Sequence, residues 1–299
     1  MRLTVCDVGP RDGLQNEPET LAIEVRAELV RRLSAAGLPR IEAVSFVHPA
    51  RVPQMDGAEE VVGAVGPVAA ELSGLVLNER GYERLAATAL ERVNVTLAAT
   101  ETFNRRNGNA SLAEAARRVE EILRRSGRPA TATVSCSFGC PFEGEVDPGA
   151  VLELAERLAE AGAGEVVLAD TIGVATPGRV RKLVKSLHAT STSAAVGGHF
   201  HDTRNTGVAN AWAALEAGAT ILDASVGGLG GCPFAPESTG NVATEDVLYL
   251  LEREGVDTGV DLDAVIGTVR WLEQVLGREV PGRVSKAGPF AQRSGRSHP

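Results

Sequence analysis

With 299 residues and a net charge of −9, the chain has room for one large α/β domain or two ordinary ones. Apolar residues make up 43% of it, enough for a full core, and the acidic balance argues against a nucleic-acid binder, which needs basic patches to displace counterions. An anionic small substrate remains possible wherever arginines cluster locally. No apolar run approaches the roughly 20 residues of a membrane span, and Met1–Pro10 lacks a signal-like apolar stretch, so no membrane partner is expected. Cys6, Cys136, Cys140 and Cys232 show no zinc-ribbon spacing and read as reduced thiols, which points to a cytoplasmic address.

In chain order, short apolar runs suited to buried parallel strands alternate with amphipathic stretches of helical period. The runs are Leu3–Val8, Ile41–Phe46, Leu72–Leu77, Val93–Ala98, Ala130–Ser135, Glu165–Ala169, Ala195–Phe200 and Ile221–Ser225. Helices are expected over Glu19–Ala36 and Pro148–Ala161, each stopped by a glycine, Gly37 or Gly162. Ser111–Ser126 opens on Ser-x-x-Glu, a capping box in which Glu114 reaches back to the cap. Thr176 and Pro177 open Pro177–His188 as cap and first helical residue. Asn205–Ala217 and Ala243–Glu254 complete eight strand–helix units, the count and size of a closed (β/α)8 TIM barrel. An open doubly wound sheet is the alternative, although no dinucleotide fingerprint stands at the first turn. The helix Asp261–Leu276 follows as an extra C-terminal element. No linker-like break cuts the chain, so residues 1–284 are expected to form a single catalytic domain and 285–299 a loose tail.

The seventh run delivers Gly-Gly-His-Phe-His-Asp at 197–202. Side chains two apart on a strand share a face, so His199 and His201 can converge on one ion, although ordinary polar strand residues show the same spacing. The first run leads into Asp7-Val-Gly-Pro-Arg-Asp-Gly-Leu-Gln-Asn16, and the eighth into Gly227–Pro233 and then Gly240-Asn241. Barrel active sites lie at the carboxyl ends of the strands, and ring closure makes strands seven, eight and one neighbours. Asp12, His199, His201 and Asn241 then surround one cation. Two imidazoles, a carboxylate and an amide oxygen suit Mg2+, Mn2+, Zn2+ or Fe2+.

Arg11 stands beside Asp12, either to stabilise a developing oxyanion or to pair with Asp7 or Asp12. Glu42 lies inside the second run, where a charge needs a partner, and is expected to orient Arg11. Asp170 and Thr171 either fix a ligand histidine or bind substrate. Cys232 follows four glycines between Gly227 and Gly231. It is either a thiol carried to substrate by loop movement or a small buried residue. The same glycines can instead cradle a phosphate.

Taken together, these segments resemble the 3-hydroxy-3-methylglutaryl-CoA lyase family. Asp7–Glu17, Glu42–Met55, Ser135–Gly144, Leu168–Pro177, Gly227–Pro236 and Gly240–Asp246 carry the resemblance. It extends more loosely to other metal-dependent aldolase-type barrels, including isopropylmalate and homocitrate synthases. The resemblance implies a divalent cation, usually Mg2+ or Mn2+, at Asp12, His199, His201 and Asn241. It implies cleavage of a 3-hydroxyacyl-CoA thioester to acetyl-CoA and a keto acid such as acetoacetate, as in leucine degradation, by a subunit that is usually half of a homodimer. Arg11 would polarise the thioester carbonyl and stabilise the enolate, and Cys232 would be the catalytic thiol. Gln15, Glu42, Asp170 and Glu245 match supporting or catalytic positions. The chemistry agrees. A cation at the C3 hydroxyl eases loss of its proton to Asp12 or His201, and the enolate needs a positive partner and then a proton at carbon.

Two departures bear on the substrate. The chain has Ser45-Phe-Val-His-Pro-Ala50 where the family commonly shows Ser-Phe-Val-Ser-Pro-Lys, so His48 either contacts substrate or faces solvent. Pro236-Glu-Ser-Thr239 precedes Gly240, with Glu237 adding a carboxylate where an anionic substrate would pass. The resemblance makes 3-hydroxy-3-methylglutaryl-CoA the expected substrate, and these departures are the grounds for the alternative, a related lyase acting on a different acyl group. A condensing synthase is disfavoured because those carry a further C-terminal region. A degenerate binding barrel is disfavoured because Arg11, Asp12, His199, His201, Cys232 and Asn241 are all in place.

Overall fold

The computed structural model describes residues 3–190, 192–232 and 235–290, without the side chains at 232 and 235–238. The order is β1 (Thr4–Asp7), α1 (Ile23–Ala35), β2 (Arg40–Ser45), α2 (Ala58–Val65), β3 (Glu71–Val76), α3 (Glu79–Ala86), β4 (Arg92–Ala98), α4 (Glu101–Gly108), α5 (Leu112–Arg125), β5 (Ala130–Ser135), α6 (Pro148–Glu160), β6 (Glu165–Asp170), α7 (Pro177–His188), β7 (Ala195–Phe200), α8 (Gly207–Glu216) and β8 (Ile221–Ala224). A two-stranded ribbon, β9 (Gly231–Cys232) and β10 (Ala235–Thr239), precedes α9 (Thr244–Arg253), α10 (Leu262–Leu276) and the short α11 (Val284–Ala287).

Strands β1 to β8 pair in parallel, in chain order, and close into a barrel through β1 against β8. That closure rules out the open sheet. The capping box at Ser111 forms: its hydroxyl accepts from the Glu114 amide, and the Glu114 carboxylate accepts from the Ser111 amide. Gly37 and Gly162 stand just past α1 and α6 with φ of 90° and 116°, the left-handed conformation a helix stop requires. Thr176 occupies the cap of α7, but its side chain makes no capping bond. Helix α1 begins at Ile23, not Glu19, because Ala22 is extended. Helices α2 and α3, implied by the eight units but given no range, and α4 have eight residues each, about two turns, too short for a periodic signal to stand out.

Strands β2, β3 and β4 each begin one residue before the apolar run, at Arg40, Glu71 and Arg92. These charges form an ionic floor across the barrel. Arg40 bonds Glu71 at 2.8 Å and both oxygens of Glu165 at 2.7 and 2.9 Å. Arg92 reaches Glu71 at 3.0 Å and Glu165 at 3.2 Å, and the Thr131 hydroxyl donates to Glu165 at 2.7 Å. Arg40 and Arg92 are only 7% and 8% exposed, so each depends on these partners. Glu165→Ala is therefore expected to lower the unfolding free energy by about 3–5 kcal/mol, the usual cost of stranding a buried charge. The readout is a lower urea midpoint at unchanged slope.

The boundary drawn at residue 285 falls inside α11, where Ser285 is buried and its hydroxyl donates to Gly282 O. The Asp246 carboxylate at the start of α9 accepts from the amides of Arg283 and Val284. The expected tail from 291 onward lies outside the described residues. Among the described residues, no helix is long and apolar enough to cross a membrane.

Candidate active site and metal centre

The chain leaves β1 in a wide helical turn over Gly9–Gly13, in which the amides of Arg11, Asp12 and Gly13 all converge on Val8 O at 3.2, 2.7 and 3.2 Å. The turn presses against the segment after β8. A Cβ on Gly9 would stand 2.8 Å from Val226 Cγ1, and one on Gly13 would stand 2.9 Å from Ser225 Oγ. Asp7 anchors this junction by accepting from the Gly9 amide at 2.8 Å and the Thr244 hydroxyl at 2.7 Å. It does not pair with Arg11. Burial pushes its carboxyl up to about 7, against the pull of those hydrogen bonds.

Asp12, His199 and His201 offer ligand atoms that all lie within 4.8 Å of one another. Asp12 comes from the turn after β1. His199 lies in β7, and His201, one residue beyond it, bridges to Asn241. The Asn241 amide donates to Asp12 Oδ2 at 2.8 Å and to Leu229 O at 3.1 Å. Gly240 allows this approach, because a Cβ there would overlap the Gly230 carbonyl. Thus the four residues expected as ligands lie side by side.

The donor set fits a divalent cation. His201 Nδ1 and Asn241 Oδ1 are buried without a hydrogen-bond partner, and unmet buried polar atoms are costly. Burial and the neighbouring His199 push the His201 imidazole down to about 4, so it is neutral, as a ligand must be. Burial opposes the charge on Asp12, but Arg11 and the two imidazoles hold its carboxyl below the usual range.

Arg11 is clamped from two sides. Its Nε and Nη2 reach Glu42 Oε2 at 2.5 Å, and its Nη1 donates to Asp12 Oδ1 at 2.6 Å. Glu42 is 1% exposed and accepts a second bond from Asn94 Nδ2 at 2.6 Å, while Asn94 Oδ1 accepts from the Thr133 hydroxyl at 3.1 Å. Burial raises the Glu42 pKa, and Arg11 and Asn94 oppose that rise. Glu42 therefore sits where it can orient Arg11. Asn94, not anticipated from sequence, completes the clamp. A polar residue inside the apolar run Val93–Ala98 was the available signal.

Several other expected site residues make no side-chain hydrogen bond to the cluster among the described residues. Both Asp170 oxygens are occupied by the amides of Val174 and Ala175, at 2.9 Å each, so Asp170 holds the loop after β6. Asp223 Oδ2 lies 3.3 Å from Nδ1 of His199. Thr171 Oγ1 accepts from the Cys136 amide at 2.8 Å. Gln15 Oε1 is buried and unpartnered, as is Ser45 Oγ at the end of β2, a hydroxyl the sequence reading passed over.

His48 is exposed on the wall of a separate cavity of about 660 Å3, beside Arg80, Arg84 and Arg118, and its Nδ1 accepts from the Ala50 amide at 3.2 Å. In the segment after β8 the amides of Gly227, Gly228 and Leu229 already donate to Glu245, Ser225 O and Val226 O, so these three do not point at a phosphate. The side chain of Cys232, like Glu237, lies outside the described residues.

Glu245 is fully buried and spends one oxygen on the Gly227 amide at 3.0 Å. Burial, with Asp246 and Asp7 nearby, pushes it up to about 8 from an ordinary 4.5. The folded chain thus keeps a proton that the unfolded chain releases, so this contribution is full below about pH 4.5 and is lost as pH rises through 8. Wild-type melting temperature is expected to fall between pH 5 and 9, and Glu245→Gln to flatten that slope in a calorimetric series.

Comparison with known proteins places this geometry. The HMGL-like family model matches residues 2–271. The chain is 44% identical to a protein of Chloroflexus aurantiacus named (R)-citramalyl-CoA lyase, over 96% of this chain and 95% of that one. It is 42% identical to the hydroxymethylglutaryl-CoA lyase of Pseudomonas mevalonii, over 98% of each. The structure of an HMG-CoA lyase from Acinetobacter baumannii, in complex with coenzyme A and 3-methylmalate, superposes with a TM-score of 0.92 at 37% identity, covering 100% of this chain and 98% of that one. A closed barrel, a convergent Asp–His–His cluster and near-full-length similarity at this level lead to one conclusion: the chain belongs to the HMGL-like family.

Proposed function

We propose that the chain is a carbon–carbon lyase that cleaves a 3-hydroxyacyl-CoA thioester to acetyl-CoA and a keto acid. The substrates that fit are 3-hydroxy-3-methylglutaryl-CoA, which yields acetoacetate, and citramalyl-CoA, which yields pyruvate. Both carry a tertiary hydroxyl at C3. The citramalyl-CoA lyase relative and the 3-methylmalate bound to the Acinetobacter protein favour including the shorter hydroxydiacid. The observation that carries the reading is the seat of Arg11, a permanent charge fixed between Glu42 and Asp12 at the edge of a three-ligand cluster.

Asp12, His199, His201 and Asn241 would hold a divalent cation, Mg2+ or Mn2+, with Zn2+ also compatible with the donors. Bound there, it supplies Lewis acidity that makes a hydroxyl proton easier to lose. Asp12 or His201 accepts the proton of the C3 hydroxyl. As the C2–C3 bond breaks, its electron pair moves into the thioester enolate, C3 becomes the carbonyl of the keto acid, and Arg11 takes up the charge on the enolate oxygen. The Cys232 thiol then gives C2 its proton. Gln15, Thr171 and His48 supply polar contacts to substrate, while Asp170 and Glu245 hold the surrounding loops. The enzyme works as a cytoplasmic homodimer of single-domain subunits.

The test is an acetyl-CoA release assay with both thioesters, in Mg2+, Mn2+ or EDTA. Release from at least one substrate, and only with cation, is expected. Release in EDTA would refute the mechanism, and release from neither would remove the lyase assignment. Cys232→Ala should lower kcat by about 10^2-fold with Mn2+ binding unchanged. Full activity in that variant would take the thiol out of the reaction.

A further inference from the structure

We propose that Asp223 is a positioning residue of the cation cage, holding His199 in the tautomer whose proton is on Nδ1 and turning Nε2 toward the ion. The inference rests on the cation reading above. It begins from strand register. Asp223 is the partner of His199 across β7 and β8, and of Cys6 across β1 and β8, so closure of the ring fixes it beside the histidine. The imidazole is bracketed by two carboxylates. Nδ1 lies 3.3 Å from Asp223 Oδ2, inside the barrel, and Nε2 lies 3.9 Å from Asp12 Oδ2, in the cluster.

Asp223 makes a single side-chain hydrogen bond among the described residues. It is 9% exposed and sits in an otherwise apolar strand. Glu42 stands near enough to repel it, and the Arg11 guanidinium near enough to attract it. A buried carboxylate is costly unless it is paired or hydrogen-bonded, and among the described residues the one hydrogen bond its side chain is placed to accept comes from His199 Nδ1. Ligand histidines generally give their second ring N–H to an outer acceptor, which fixes both tautomer and ring orientation. The other histidine of the cage differs: His201 Nδ1 has no partner. The lock therefore acts on one imidazole alone. Asp170, whose oxygens accept from the amides of Val174 and Ala175, makes no side-chain hydrogen bond to either histidine among the described residues.

The experiment compares wild type, Asp223→Asn, Asp223→Ala and Cys6→Ala, the last disturbing packing on the adjacent strand without touching the imidazole. Mn2+ affinity is read by titration calorimetry on metal-free protein, and the His199 tautomer by ring 15N shifts. Asp223→Ala is expected to weaken Mn2+ binding by about 10–100-fold and to abolish the Nδ1–H signature, with Cys6→Ala like wild type. Asp223→Asn, nearly isosteric, carries the test if the alanine variant fails to fold, and should weaken binding at least about tenfold because an amide does not dictate one tautomer. Unchanged Mn2+ affinity or an unchanged tautomer in these variants overturns the inference alone. Failure of the wild type to bind Mn2+ overturns the cation reading and the inference with it.

Discussion

Arg11→Ala is expected to lower kcat for acetyl-CoA release by about 10^3-fold or more, with little change in KM. The guanidinium acts on charge that appears only as the C2–C3 bond breaks, so its loss falls on the transition state. Lysine should not rescue it. A single ammonium cannot reproduce the fork that bonds Glu42 at 2.5 Å and Asp12 at 2.6 Å together. The alanine variant also leaves the buried Glu42 with Asn94 as its remaining partner, at a stability cost of about 3–5 kcal/mol. The double variant Arg11→Met with Glu42→Gln separates the two effects, since it should regain stability in urea while remaining inactive. Substantial turnover in either arginine variant would remove Arg11 from the chemistry.

Chelation is expected to abolish turnover, by at least about 10^3-fold, and His201→Ala to do the same in a way that added cation cannot reverse. An ion that binds only the folded chain also stabilises it. Mn2+ at a hundred times its Kd should add about 2.7 kcal/mol. Wild-type melting temperature should therefore rise on titration with Mn2+, while Asp12→Asn, which loses the anionic ligand, should show a much smaller rise. Activity that persists after exhaustive chelation, with no thermal response to Mg2+ or Mn2+, would end the cation reading.

The eight strands were legible because parallel barrel strands are buried on both faces and read as continuous apolar runs. The one-residue errors at Arg40, Glu71 and Arg92 have the same origin. An apolar-run criterion stops at a charge, and here the first charge of each strand belongs to the barrel interior. Histidine spacing and ring closure brought Asp12, His199, His201 and Asn241 together correctly, since adjacency of β7, β8 and β1 follows from topology alone. What sequence could not apportion was carboxylates. Asp170 and Asp223 both lie at or near strand ends, and only coordinates show that one holds a loop while the other faces an imidazole. For His48 the sequence left substrate contact and solvent exposure both open, and the structure places it exposed on the wall of a cavity away from the Asp–His–His cluster.

Asp12 and Asn241 lie 229 positions apart, yet their side chains bond directly. A ribosome-bound chain cannot assemble that cage until its eighth strand has emerged and docked on the first. On the cation reading, ion capture would follow ring closure, and chains kept from the cation should be opened more readily by proteases.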